Sequence, residues 1–144
     1  MVKYRVINEA LAKLAEQPIA EGVASVLDPV ATALEDNEEL YDVLTGESLT
    51  GHPIHPALVH MPIGITMAAA ALEVLGLGRF KAATTVLTGV TVAVAIPTAV
   101  TGIAEWARGR NDHRQRRVGA LHAVAASTGT TMAALSLTCR LVGA

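Results

Sequence analysis

The chain has 144 residues, of which 51% are hydrophobic, 17% are charged and only 3% are aromatic. A water-soluble core of this size normally uses several large aromatic side chains, whereas this chain has one Phe and one Trp. Its apolar residues are mainly Ala, Val and Leu, which together with Gly and Thr are typical of helices packed closely in lipid. The single cysteine, Cys139, excludes an internal disulfide and a cysteine metal cluster within the chain.

Charge is distributed unevenly along the sequence. Residues 1–50 carry ten acidic and three basic side chains, and the remainder carries three acidic and eight basic ones, so their net charges are −7 and +5. The boundary predicts two units, an acidic amphipathic helical segment at 1–50 and a transmembrane helical domain at 51–144. The first residues lack the continuous apolar run of a signal peptide, so we expect the N-terminus to stay in the cytoplasm.

Amphipathic helices are predicted in the acidic segment. Apolar residues recur at helical spacing in three stretches: about 3–17, 19–27 and 30–44. The first is expected to end at Pro18 and the second near Pro29, and a polar linker is expected at 46–51. The acidic side chains are interpreted as a solvated face, and a docking surface for a basic partner is the alternative.

Three apolar runs follow, each close to the ~20 residues that cross a hydrocarbon core about 30 Å thick: about 57–78, 82–105 and 118–140. The predicted fold is therefore all-α, a small transmembrane helical bundle of three spans preceded by amphipathic cytoplasmic helices. Glu73 interrupts the first run near its outer end. Its expected partner in an interfacial ion pair is Arg79 or Lys81.

The loop between the second and third runs is rich in arginine: Arg108, Arg110, Arg114, Arg116 and Arg117. Because basic loops stay in the cytoplasm, this loop predicts a cytoplasmic N-terminus and a C-terminus outside. Trp106 beside the loop fits an interfacial anchor. Nucleic-acid binding is not expected, since no aromatic residues are interleaved with the arginines.

This topology places every histidine at the cytoplasmic face, where the candidate site residues gather: His52, His55, His60, Glu105, Trp106, His113 and His122. No Cys-x-x-Cys-His or His-Glu-x-x-His pattern is present, so no catalytic or metal-ligand set is predicted. Prolines stiffen the His52–Pro56 stretch, which favours a role in seating the first span.

His60 and His122 are the candidate axial ligands of a b-type haem, because imidazoles from two helices are common haem ligands. The alternatives for His122 are a proton-handling role and a neutral ring hydrogen-bonded to Glu105 or a carbonyl. His122 is expected to point into the bundle, since an ionisable group there is costly to leave unpaired.

Small residues form a stripe on each of the last two spans, typical of helix–helix contacts in lipid. The stripe of the second span consists of Thr85, Gly89, Ala93, Pro97, Thr101 and Glu105. The stripe of the third span consists of Gly119, His122, Ala126, Gly129 and Ala133.

Several motifs resemble the domain of unknown function 2231 family of uncharacterised bacterial membrane proteins: Asp42-Val-Leu-Thr-Gly46, Gly51-His-Pro-Ile-His-Pro-Ala-Leu-Val-His-Met-Pro-Ile-Gly64, Pro97-Thr-Ala-Val-Thr-Gly-Ile-Ala-Glu-Trp106 and Arg116-Arg-Val-Gly-Ala-Leu-His-Ala123. The resemblance covers roughly residues 25–140. It implies a multi-pass protein of the bacterial inner membrane, sometimes associated with Rieske-type iron–sulfur domains.

The chain departs from the family in two respects. Members often carry Asp at the position of Glu105, a change that keeps the carboxylate. They usually have a fourth span after the position of Arg140, so this chain resembles a shortened member, a truncated sequence or a protein that completes its bundle with a partner. No Rieske ligands are present, so any iron–sulfur centre is expected on another chain.

The leading functional hypothesis is an integral membrane subunit of a larger, redox- or respiration-linked complex, with a structural or scaffolding role and no catalytic activity of its own. A b-type haem electron-transfer protein is one alternative. The other is a proton-coupled small transporter that uses Glu105, His122 and Glu73. The expected partners are membrane lipid, other membrane or redox subunits, an iron–sulfur protein and a second copy of the chain.

Overall fold

A computed structural model describes residues 16–143 together with Glu9, Ala12 and Lys13. Residues 16–143 form six helices: α1 (Pro18–Glu35), α2 (Glu38–Thr45), α3 (Glu47–Thr50), α4 (His55–Gly76), α5 (Lys81–Gly109) and α6 (His113–Val142). The all-α class is confirmed. The helix predicted at 3–17 falls largely outside the described residues.

The three long helices α4, α5 and α6 are each long and apolar enough to cross a membrane by length and composition. The three predicted spans are therefore confirmed, with ends that differ by a few residues. α5 and α6 extend beyond the apolar runs into the arginine loop, where Asp112 caps α6 by accepting a hydrogen bond from the Gln115 amide at 2.8 Å. A tight turn with Leu77 and Gly78 at positive φ joins α4 to α5.

α5 is the central helix, with α4 on one side and α6 on the other. It carries most of the buried residues of the spans: Thr84, Thr88, Thr91, Ala95, Thr98 and Thr101. Their burial is tolerated because hydroxyls bond to carbonyls of the preceding turn, as Thr88 does to Thr84 at 2.7 Å. The predicted stripe on this helix was partly wrong, since Ala93 and Pro97 are exposed. A row of four-residue steps drifts around a 3.6-residue helix, whereas the buried face combines three- and four-residue steps.

α1 docks against one end of α5 and α6. Alanines supply the fully or almost fully buried residues of these three helices at that end: Ala20, Ala24, Ala31, Ala104, Ala107 and Ala120. Such small side chains allow the helix backbones to approach closely. The acidic segment is therefore packed on the transmembrane domain by small-residue contacts as well as by charge.

The helix boundaries in the acidic segment differ from the prediction. α1 continues through Pro29, because the missing amide costs one backbone bond while the buried Ala24 and Ala31 hold both sides of it. The chain breaks instead at Asn37, whose side chain caps α2 by accepting from the Leu40 amide at 3.1 Å.

The expected linker at 46–51 contains the short helix α3. Gly46 lies at its start with φ +86°, and a Cβ at this position would come within 2.6 Å of the His52 carbonyl oxygen. Glycine is therefore required there both for the left-handed backbone and for the close approach of the histidine motif.

Three carboxylates of α1 are paired with arginines and do not form a solvated face. Arg116 bonds to Glu21 and, at 2.6 Å, to Asp28. Arg110 bonds to Glu35 and lies 3.6 Å from Asp28. The solvated-face interpretation was wrong for these residues, since sequence patterns within one segment do not reveal a partner far along the chain. The basic surface that they dock on is the chain's own arginine loop.

Glu73 also has a partner other than the predicted ones. Arg140 of α6 donates to its carboxylate at 3.1 Å and to the Thr84 hydroxyl at 3.0 Å. An ion pair of Glu73 exists, but its partner lies on α6 and is neither Arg79 in the turn nor Lys81 at the start of α5. This contact ties α4, α5 and α6 together at the end opposite to the arginine loop.

Candidate functional site

His55 is the histidine that enters the helix bundle. Its Nδ1 lies 3.1 Å from the Thr98 carbonyl oxygen and 3.4 Å from the Thr101 hydroxyl on α5. The ring rests on Gly102, where a Cβ would lie 2.8 Å from the ring carbon Cε1. Nδ1 therefore donates to the carbonyl, which leaves Nε2 as the basic nitrogen of the ring. Gly102 is required so that this imidazole can reach the α5 backbone.

Glu105 follows Gly102 by one turn of α5 and has an unsatisfied carboxylate oxygen. Its Oε2 is inaccessible to solvent and has no hydrogen-bond partner within the described part of the chain. Arg108 lies 3.7 Å from this oxygen, but its guanidinium makes the shorter contact, at 2.7 Å, with Glu47. A buried acceptor without a donor is costly, so it marks a place where a proton or a donor from another molecule would be stabilised.

Tyr41 of α2 belongs to the same neighbourhood, although the sequence did not single it out. It lies within electrostatic range of Glu105 and Arg108. Partial burial, followed by the nearby Glu35 carboxylate, raises the pKa of the Tyr41 phenol above its ordinary value of 10.0. The phenol therefore stays neutral and able to donate a hydrogen bond. The only sequence signal for it was its position directly before the Asp42–Gly46 motif.

Trp106 fastens α5 to α6. Its indole nitrogen donates to the Arg116 carbonyl oxygen at 2.9 Å. Its ring occupies the space beside Gly119, where a Cβ would lie only 2.3 Å from the ring carbon Cδ1. The arginine loop is therefore held in place by a residue that was predicted as an interfacial anchor.

The remaining histidines lie at the surface of the chain. His52 is exposed, and its Nδ1 lies 3.0 Å from the Thr50 carbonyl oxygen in the turn before α4. His60 is exposed, and its Nδ1 lies 2.7 Å from the Pro56 carbonyl oxygen of its own helix. His113 lines a hollow of about 210 Å³ together with Arg114 and Arg117.

His122 is exposed, so the expectation that it points into the bundle was wrong. The helix face that contacts α5 at this level is occupied by Gly119, which makes room for Trp106. His122 is nevertheless close enough to interact electrostatically with His55, as Glu105 is. His55, Glu105 and His122 thus lie at the same end of the helix bundle.

His60 does not join this group. Successive residues of a helix are separated by about 100°, which places His60 on the side of α4 away from the face that carries His55. The axial pair of His60 and His122 stays a prediction. No group of three or more His, Cys, Asp and Glu residues that could hold a metal ion occurs within residues 16–143.

The chemistry available to His55, Glu105 and Tyr41 is proton exchange. One imidazole with a free Nε2, one buried carboxylate oxygen and a neutral phenol lie at the same end of the bundle, and each can accept or donate a proton. Nothing in the group has the spacing of a nucleophile activated by a base.

The comparison with protein families agrees with the motifs that define this end of the bundle. The model of a predicted membrane protein family, DUF2231, matches residues 51–144. The chain belongs to this family. The match begins at Gly51, so it includes His55, Glu105, Trp106 and His122. The motifs in the sequence suggested a resemblance over roughly residues 25–140, and residues 25–50 of that range lie outside the match.

No curated protein and no solved structure matches the chain. The family is described as a predicted membrane protein, which agrees with the three candidate spans of this chain. The family description itself specifies no activity.

Proposed function

We propose that this DUF2231 protein is a non-catalytic membrane subunit that packs against another transmembrane helix through α6. The observation that carries the proposal is the outward position of most of the small-residue stripe of α6. Only Gly119 of that stripe is covered closely, by Trp106, while His122, Ala126 and Gly129 are exposed.

The arrangement of the spans supports the same proposal. α4 and α6 each pack mainly against α5, which leaves their outer surfaces without a neighbouring span. α6 also has the least apolar span of the three. A Cβ added at Gly129 would meet nothing within 4 Å, so a partner helix could approach closely at that point.

A photoreactive benzoylphenylalanine at position 129 tests the proposal in native membranes. Position 96 of α5 is the matched control, because Ile96 is exposed. It lies at a similar depth to position 129, because Gly89 of α5 faces Leu137 of the antiparallel helix α6. We expect a discrete cross-linked species at position 129 and none at position 96. Equal labelling of lipid alone at both positions would contradict the proposal.

The family resemblance suggests which partners to expect. Redox subunits, an iron–sulfur protein and a second copy of the chain would be distinguished by mass spectrometry of the cross-linked species. The b-type haem alternative gains no support from the exposed positions of both His60 and His122. A Soret band in protein purified after expression with haem would revive that alternative.

A second candidate function is proton handling at the group of His55, Glu105 and His122. The observation in its favour is the buried Glu105 oxygen that lacks a hydrogen bond. Glu105→Gln is expected to abolish proton flux into proteoliposomes, whereas His60→Gln on the exposed side of α4 should leave it unchanged. Flux that is the same in the Glu105→Gln variant, or absent from the unmodified protein, would eliminate this candidate.

A further inference from the structure

Helix α1 has three distinct stripes along its length. An alanine stripe of Ala20, Ala24 and Ala31 is fully buried against the transmembrane domain. An acidic stripe of Glu21, Asp28 and Glu35 is bonded to arginines. An apolar stripe of Ile19, Val26 and Val30 is exposed. At about 100° per residue, the members of the apolar stripe lie within about 40° of one another.

The apolar stripe is uncovered within the chain. Val26 is 71% exposed and Ile19 is 59% exposed, and both are β-branched hydrophobic residues. An apolar stripe of this kind on a helix that otherwise packs well requires an apolar surrounding.

The depth of α1 relative to α6 indicates what that surrounding is. Val23 and Leu27 form one wall of a groove of about 430 Å³, and the other wall is formed by α6: Ala123, Val124, Ser127, Thr128, Thr131 and Met132. Residue 123 lies ten residues into α6, about 15 Å along its axis at ~1.5 Å per residue. The groove therefore opens at the depth of the candidate span and not above it.

Charge is the obstacle to placing an acidic helix in a membrane interface. Helices that lie in the interface are normally rich in Lys and Arg, and anionic headgroups repel carboxylates. In α1 every acidic residue is turned away from the apolar stripe and is paired with Arg110, Arg116 or Arg117. The outer side of the helix between Pro18 and Glu35 is thus free of charge.

We propose that α1 lies in the membrane interface with its apolar stripe in lipid, and that a phospholipid acyl chain occupies the groove between α1 and α6. The acidic segment is then part of the membrane-embedded body of the protein, in contrast to the water-exposed cytoplasmic helix expected from its net charge. The occupant is lipid because the groove walls are mostly apolar and the groove opens within the depth of the candidate span.

Nitroxide labels on the full chain in phosphatidylcholine–phosphatidylglycerol vesicles test this proposal. The background is Cys139→Ser, and the labelled variants are Val26→Cys and Val30→Cys on the apolar stripe and Ser127→Cys in the groove. Ser25→Cys, on a different and exposed side of α1, is the control. We expect oxygen to accelerate the spin relaxation of the stripe and groove labels, and the water-soluble nickel complex NiEDDA to have little effect on them. The Ser25 label should show the reverse.

Two outcomes would overturn the proposal. Stripe labels as accessible to NiEDDA as the Ser25 label would place α1 in water. Stripe labels shielded from both reagents would show that protein covers the stripe, whether a second copy or another subunit. Circular dichroism of each labelled variant checks that the helices are intact, and the two stripe positions provide independent readings.

Discussion

The guanidinium of Arg116 donates a hydrogen bond of 2.6 Å to the carboxylate of Asp28, 88 residues earlier in the chain. The same guanidinium bonds to Glu21 from its other nitrogen. One arginine at the start of α6 therefore fixes α1 at two points separated by two helical turns, while the alanine stripe packs alongside.

Loss of this arginine should loosen α1. Arg116→Gln removes the shorter ion-pair contact of both Glu21 and Asp28 and leaves only the longer contacts of Arg117 with Glu21 and of Arg110 with Asp28. We therefore expect cleavage within 18–35 by a protease to become about 5-fold faster, the effect of about 1 kcal/mol on local opening. Arg114→Gln is the matched control, because Arg114 is exposed in the same loop. The same cleavage rate in both variants would mean that packing of the alanines, and not charge, holds α1.

Acidification should loosen the same helix. Hydrogen bonds from Arg116, and then from Arg117, hold the pKa of the Glu21 carboxyl below its ordinary value of 4.5. A depressed folded-state pKa means that the contribution of Glu21 is complete above pH about 4.5 and is lost as the pH falls through the lowered pKa. The mobility of a label at position 26 should therefore rise below this pH. In Glu21→Gln this component of the rise should be absent, and an unaltered profile would count against the assignment.

The contact between Trp106 and Gly119 should not tolerate an added methyl group. Gly119→Ala places a Cβ within 2.3 Å of the Trp106 ring, so we expect a loss of about 1–3 kcal/mol in the free energy of unfolding in mixed detergent micelles. Gly64→Ala is the control, because a Cβ there meets nothing within 4 Å. It should be neutral or slightly stabilising, since alanine favours a helix. Equal stability of the two variants would show that the ring moves aside freely.

The ion pair between Glu73 and Arg140 differs from the sequence prediction, which paired Glu73 with Arg79 or Lys81. Arg140→Gln removes the donor to Glu73 and to Thr84, so it should lower the thermal midpoint of unfolding in detergent by roughly 2–4 °C, which corresponds to about 1 kcal/mol. Arg79→Gln should leave the midpoint unchanged, because Arg79 is exposed in the turn. A lower thermal midpoint for Arg79→Gln than for Arg140→Gln would instead identify Arg79 as the partner of Glu73.

The spans and the face that gathers His55, Glu105 and His122 could be predicted from sequence, because apolar runs and loop charges are local properties. The histidine that enters the bundle could not, since it depends on which side of α4 meets α5 and on the space beside Gly102. The pairing of Arg116 with Asp28 was likewise invisible, because helix periodicity within one segment carries no information on a partner 88 residues away. Pro29 was misleading for the related reason that tertiary packing outweighed a local helix breaker.

The buried threonines and alanines of α5 and α1 reverse the usual pattern of mutational sensitivity. In an aromatic-rich soluble core the damaging changes are truncations, which leave cavities. Here the buried side chains are already near their minimum size, so truncation removes little volume and enlargement forces the helices apart. Interior positions of this protein therefore have an upper limit on side-chain size. The helices are least able to accommodate an added methylene group at such a position.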